Sequence, residues 1–132
     1  MTSPVPSVKL NMQFNYVTYG QLENLEFIHP LAAPFVGLST RKYYSECPDI
    51  SPDLPVFFYI HDDDFIVSRI SAFPDTLTDT SGKAHRWAWT GGLYTVPEYR
   101  GRGFAKELIE KMISVFSERC ILRGSVYSAH ET

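Results

Sequence analysis

Leu93-Tyr94-Thr95-Val96-Pro97-Glu98-Tyr99-Arg100-Gly101-Arg102-Gly103-Phe104-Ala105 reads as the end of an apolar strand, a Pro-led turn with two glycines, and the start of a helix spanning Phe104 to Ser117. A strand that ends in a glycine-rich turn at a helix start is a common way to make an anion site. The first helical N–H groups lack intrahelical partners, and the helix dipole adds partial positive charge there. Gly101 and Gly103 let the backbone come close to a phosphate, and Arg100 and Arg102 add full charges. The turn is suited to holding a phosphate. It is not a P-loop, because no Gly-Lys-Ser/Thr follows the glycines. Nor is it a dinucleotide fingerprint, which needs a third glycine where this chain has Lys106.

The stretch resembles motif A of the GCN5-related N-acetyltransferases, which carry Arg/Gln-x-x-Gly-x-Gly/Ala between their fourth strand and third helix. Arg100, Gly103 and Ala105 match that pattern. The flanks agree: Leu-Tyr-Thr before the turn, and the apolar spacing of Leu108, Ile109, Met112 and Ile113 after it. The Tyr-Thr-x-Pro-Glu-Tyr-Arg-Gly-x-Gly form looks most like the FR47-like and glycine-acyltransferase-like branches. The resemblance implies acetyl-coenzyme A, or another acyl-coenzyme A, as co-substrate, with no metal. It places the pyrophosphate on the backbone N–H groups of Arg100, Gly101, Arg102, Gly103, Phe104 and Ala105. It places the pantetheine arm along the main chain of Leu93 and Thr95.

The rest of the composition narrows the field. A chain of 132 residues is one domain, residues 1–132, with a single modest core. Its net charge of −3 gives no general attraction to nucleic acid or anionic lipid, so the positive charge at Arg100 and Arg102 is local. No apolar run is long enough to cross a bilayer, and Met1 to Ser7 lacks the apolar core of a signal peptide. Cys47 and Cys120 have no metal or redox spacing and read as free, buried thiols of a cytoplasmic protein.

In chain order, residues 1–8 are a loose lead-in. Leu10 to Thr18 alternates apolar and polar residues as a half-buried strand. Gln21 to Ile28 reads as a short helix with Leu22, Leu25 and Phe27 or Ile28 inward, and Leu38 to Cys47 as a second. Val56 to Ile60 and Phe65 to Phe73 form a hairpin across His61-Asp62-Asp63-Asp64. Pro74 to Lys83 is polar and reads as a loop. Ala84 to Thr95 is the next strand, and its Gly91-Gly92 pair predicts a bulge. By resemblance, that bulge opens a slot for the cofactor arm. After the motif helix, Ile121 to Ala129 is a last strand. The order is β-α-α-β-β-β-α-β, an α/β (α+β) acyl-CoA N-acyltransferase fold with a mostly antiparallel sheet flanked by helices.

In the family a fourth helix and two strands follow, carrying a tyrosine that protonates the departing thiolate, and here the sequence stops at Thr132. The expectation is a C-terminally truncated domain. Its open sheet edge would be completed by a second copy or by the remainder of a longer chain. Acyl transfer also needs a base, and residues 84–95 contain no carboxylate. His85 and Tyr127 are the catalytic candidates, each with a plainer structural reading as a strand-start and a rim residue. His130, beside Tyr127 at the end of the last strand, Glu98 in the turn, Tyr43 and Tyr44 near the acceptor region, and the Trp87–Trp89 pair, expected in the core, complete the residues of interest. The Asp62–Asp64 run reads as a solvated turn rather than a cation site. Three functions compete. The first is an N-acetyltransferase of a small or peptide amine, with no nucleic-acid or membrane partner. The second is a non-catalytic acyl-CoA-binding or assembly domain, and the third a simple nucleotide or phosphate site.

Overall fold

The computed structural model describes residues 12–36 and 51–125. Among them the strands are β1 (Gln13–Thr18), β2 (Pro55–His61), β3 (Ile66–Thr78), β4 (Ala84–Thr95) and β5 (Leu122–Ser125), with one long helix, α1 (Phe104–Glu118). They form one sheet in the order β1-β2-β3-β4-β5. The first three pairs are antiparallel and β4–β5 is parallel, joined through α1. Short turns join β2 to β3 and β3 to β4, the longer segment 19–54 separates β1 from β2, and the parallel pair needs a crossover such as this helix.

Every residue of β2 is buried, which explains why Val56 to Ile60 reads as a continuous apolar run. It is covered on both faces. On one face Phe58, Ile60, Ile70, Ala72 and Ala88 pack against Phe104, Leu108, Met112 and Phe116 of α1. On the other, Val17, Phe57, Tyr59 and Ile66 pack against Leu22, Ile28, Ala32 and Val36 of the segment after β1. The helix buries a stripe at every fourth residue, and Ile113 lies outside it, 41% exposed.

Two further expectations are corrected. Gln21 to Ile28 is not an α-helix: it forms two 3-10 turns, Tyr19–Glu23 and Leu25–Phe27. The Gln21 side chain accepts from the Thr18 N–H and donates to the Phe27 carbonyl, and the Asn24 side chain takes the Glu26 N–H. Such local bonds compete with a helix too short to sustain itself. Ile28 is the inward residue, and Phe27 is 67% exposed. Residues 74–78 are strand rather than loop, because Pro74 to Thr78 pair with Ala84 to Ala88. A polar sequence still forms a ladder when a partner strand lies alongside it. The second helix expected at Leu38 to Cys47 lies outside the described residues.

The helix end is also specific. The Cys120 N–H reaches the Ser117 carbonyl and the Ile121 N–H reaches Phe116, with Cys120 at φ 56°. This is a Schellman ending in which Ile121 covers Phe116, both in the core beneath α1. Cys120 is free but exposed, not buried as expected of a lone thiol, because the left-handed position turns it outward from the helix end.

Candidate active site

β4 and β3 run in register from Ala84 to Gly91, after which the pairing jumps: Ser71 faces Gly91, but Arg69 faces Tyr94. One residue of β3, Ile70, therefore lies opposite two of β4, Gly92 and Leu93. Gly92 has φ 72°, so this is a bulge that only glycine adopts without strain. The bulge expected at Gly91-Gly92 is present. A second irregularity lies beside it, where the β2–β3 register shifts between Ile60 and His61. β5 pairs with β4 only from Trp87 to Thr90 among the described residues. Beyond that point Leu93 and Tyr94 are exposed, 45% and 40%.

The chain then makes the turn. The Val96 N–H bonds to Val67 on β3, and Pro97 to Tyr99 form a single 3-10 turn. Gly101 and Gly103 have φ 78° and 87°. Gly103 caps α1 without a side-chain bond, and the Glu107 N–H is satisfied by its carbonyl at 3.0 Å. A Cβ at either glycine would meet nothing within 4 Å. The glycines are thus set by backbone conformation, and the space in front of them is open. Phe104 anchors the turn, buried beneath the sheet against Tyr99 with ring centroids 5.9 Å apart.

Leu93, Tyr94, Thr95, Arg100 and Ala105 line a cleft of about 180 Å³ between the bulged end of β4 and the start of α1. Arg100 Nε donates to the Thr95 carbonyl at 2.8 Å, and its guanidinium lies 5.4 Å from the Tyr94 ring centre. Arg102 lies over Tyr99 at 5.2 Å. The Thr95 hydroxyl is hydrogen-bonded to Ser68 at 2.9 Å. The fold therefore brings Leu93, Thr95, Arg100, Gly101, Arg102, Gly103, Phe104 and Ala105 together at one end of the sheet. Open space before left-handed glycines, a helix start and two arginines suit a pyrophosphate. The bulge locally disrupts the β3–β4 ladder at this strand end.

The catalytic candidates fare differently. His85 is at the other end of β4, ten residues of strand from Thr95, about 33 Å at the usual rise. Its imidazole bonds to Asp79 at 2.9 Å in the β3–β4 turn, away from the cleft. Tyr127, His130, Tyr43 and Tyr44 lie outside the described residues. Glu98 is exposed in the 3-10 turn. Trp87 and Trp89 are half-buried rather than core, their rings 5.4 Å apart on the sheet face away from α1, with Trp89 donating to Asp75. Asp62 accepts the N–H groups of Asp64 and Phe65 and so shapes its own turn. No group of three or more metal-ligating side chains occurs among the described residues, and none of their helices is long and apolar enough to cross a membrane.

Asp79 closes the β3–β4 turn with bonds from Ser81, Lys83 and His85, and the Ser81 hydroxyl, then His85, hold its carboxyl well below the usual range. A depressed carboxyl pKa stabilises the folded state above the unfolded value and loses that effect as pH falls through the folded one. Asp79→Ala is therefore expected to lower the urea midpoint at neutral pH. The gap from wild type should narrow as pH drops well below 4, the usual carboxylate value being about 3.9. An undiminished gap in acid would contradict the carboxylate's part in the turn.

Residues 22–129 match the sequence profile of the acetyltransferase (GNAT) family. The chain belongs to that family. Similar solved structures share its fold. One is a predicted acetyltransferase with acetyl-CoA from Clostridium acetobutylicum, 18% identical with a TM-score of 0.58, the match covering 89% of this chain and 82% of that one. Another is an aminoglycoside acetyltransferase from an uncultured soil metagenomic sample in complex with sisomicin, 12% identical, TM-score 0.56, covering 92% and 81%. A third is glucosamine-6-phosphate N-acetyltransferase from Arabidopsis thaliana, 9% identical, TM-score 0.55, covering 89% and 83%. No curated protein sequence matches the chain. Family membership makes this an acetyltransferase-type domain with the sheet and motif helix expected from the sequence.

Proposed function

We propose that this chain is an acetyl-coenzyme A-dependent N-acetyltransferase acting on an amine. The observation that carries the reading is the turn itself: two left-handed glycines facing open space, at the junction of a bulged strand and a helix start. A ligand with both a phosphate and an extended arm would use all of it. The Arg100 N–H is taken by the Pro97 carbonyl, so the backbone N–H groups of Gly101 to Ala105 hold the pyrophosphate, and the Arg100 and Arg102 side chains supply charge. The main chain of Leu93 and Thr95 aligns the arm.

Acetyl-coenzyme A supplies an activated thioester. A neutral amine attacks its carbonyl carbon, the C–S bond breaks, and the thiolate departs to take up a proton as the new amide nitrogen loses one. The chain's part is orientation: the bulge turns β4 main chain toward the carbonyl, where an N–H can stabilise developing negative charge.

The test is isothermal titration of the protein with acetyl-coenzyme A and, in parallel, ATP. Selective binding of acetyl-coenzyme A is the expected result. Equal binding of both would point instead to a phosphate site without use of the pantetheine arm. No heat with either would remove the reading.

A further inference from the structure

Five of the described arginines divide by position: Arg86 and Arg119 against Arg69, Arg100 and Arg102. Away from the cleft, Arg86 pairs with Asp53 at 3.2 Å, and Arg119 donates to the Asp53 carbonyl and the Tyr16 hydroxyl. At the cleft end, Arg69, Arg100 and Arg102 have no carboxylate partner among the described residues. Arg100 and Arg102 belong to the phosphate turn already described. Arg69 does not.

Arg69 is on β3, directly across from Tyr94 of β4 and Tyr59 of β2. Those cross-strand partners share its side of the sheet, the face opposite α1. Its guanidinium is braced by two rings, 5.1 Å from the centre of Phe35 and 5.2 Å from that of Tyr94. Tyr94 lines the cleft. Bracing by rings fixes the guanidinium while leaving its N–H donors for a carboxylate or phosphate. The other neighbour, Tyr59, is 2% exposed, and burial pushes its phenol up, so it stays neutral and offers no counter-charge.

We propose that Arg69 is the acceptor-binding residue of this enzyme and that its acceptor is an amine carrying an anionic group, carboxylate or phosphate. The proposal rests on the acetyltransferase reading. β3 and β4 are one strand spacing apart, about 4.8 Å. An acid group held on Arg69 therefore leaves a nearby amine within reach of the cleft beside Tyr94. Bracing by two rings also sets the acid group's position, which is what gives one acceptor class an advantage over neutral amines.

The experiment uses the full chain and two matched pairs of amines: glycine against glycinamide, and 2-aminoethyl phosphate against ethanolamine. Thiol release from acetyl-coenzyme A is followed for wild type, Arg69→Gln and Arg69→Lys, with acetyl-coenzyme A affinity measured by titration for each. The expected result is a kcat/KM at least about tenfold higher for the anionic member of one pair in wild type. That preference should fall to near unity in Arg69→Gln and recover partly in Arg69→Lys, with acetyl-coenzyme A affinity unchanged. The pair showing the preference tells a carboxylate from a phosphate acceptor. Wild type without preference in either pair, a preference that survives Arg69→Gln, or a parallel loss of acetyl-coenzyme A affinity would each overturn the proposal.

A chain that binds no acetyl-coenzyme A would instead remove the acetyltransferase reading. Arg69 is then read by the unfolding midpoint with added inorganic phosphate, in wild type against Arg69→Gln. A smaller phosphate shift in the variant supports an anion site at Arg69, and equal shifts overturn it.

Discussion

Gly103→Trp is expected to lower acetyl-coenzyme A affinity by at least about 100-fold, roughly 2.7 kcal/mol, while leaving the sheet folded. Nothing lies within 4 Å of a Cβ at Gly103, so the indole enters the space before the helix start rather than the core. That is the space the pyrophosphate needs. The substitution also places a bulky residue at φ 87°, which costs about 1–2 kcal/mol of strain. Gly82→Trp separates the two effects. Gly82 has φ 89° and an equally open Cβ direction, but it sits in the β3–β4 turn beside Asp79. Both variants should show a similar fall in unfolding midpoint, and only Gly103→Trp should lose binding in the titration. Arg100→Ala should weaken binding by less than Gly103→Trp, because most of the cradle is backbone. Unchanged affinity in Gly103→Trp would mean that the ligand does not use this turn.

Phe58→Ala should give the largest loss of stability, about 3–5 kcal/mol by urea denaturation. Phe58 is fully buried in the middle of β2, stacked on Phe14 at 6.2 Å and edge-on to Phe116 of α1 at 5.3 Å. Its ring therefore joins the edge strand, the centre of the sheet and the helix. Removing it leaves a cavity that three separate elements cannot all move to fill. Phe27→Ala is the contrast: with the ring 67% exposed, the change should stay within about 0.5 kcal/mol. If the two variants unfold at similar urea concentrations, the packing of α1 on β2 is not as described.

Some of this was legible in the sequence because it depends on short-range chemistry. Strand β4 and the helix from Phe104 fall where alternation and glycine punctuation place them, and the Gly91-Gly92 pair marks a bulge because only glycine takes a positive φ there cheaply. The motif turn is local as well, so the residues proposed for the cofactor cluster once its strand and helix do. Local composition is ambiguous at two places. Gln21 to Ile28 has helical spacing, yet side-chain bonds from Gln21 and Asn24 break it into 3-10 turns. Pro74 to Thr78 is polar enough for a loop, yet becomes strand because β4 lies beside it.

Long-range placement decided the rest. His85 is a reasonable base by residue type, and only the length of β4 shows it to be at the wrong end, tied to Asp79. Arg69 carries no motif, because its significance comes from Phe35 on a distant turn and Tyr94 on the next strand. The sequence alone determined the family, the motif turn and the strand–turn–helix that builds the cleft, since backbone conformation at glycines and apolar periodicity act over a few residues. Which charged side chains are neutralised and which are left facing the cleft was decided only by the tertiary structure. Ion pairing depends on distances between strands, and the order of residues along the chain does not contain those distances.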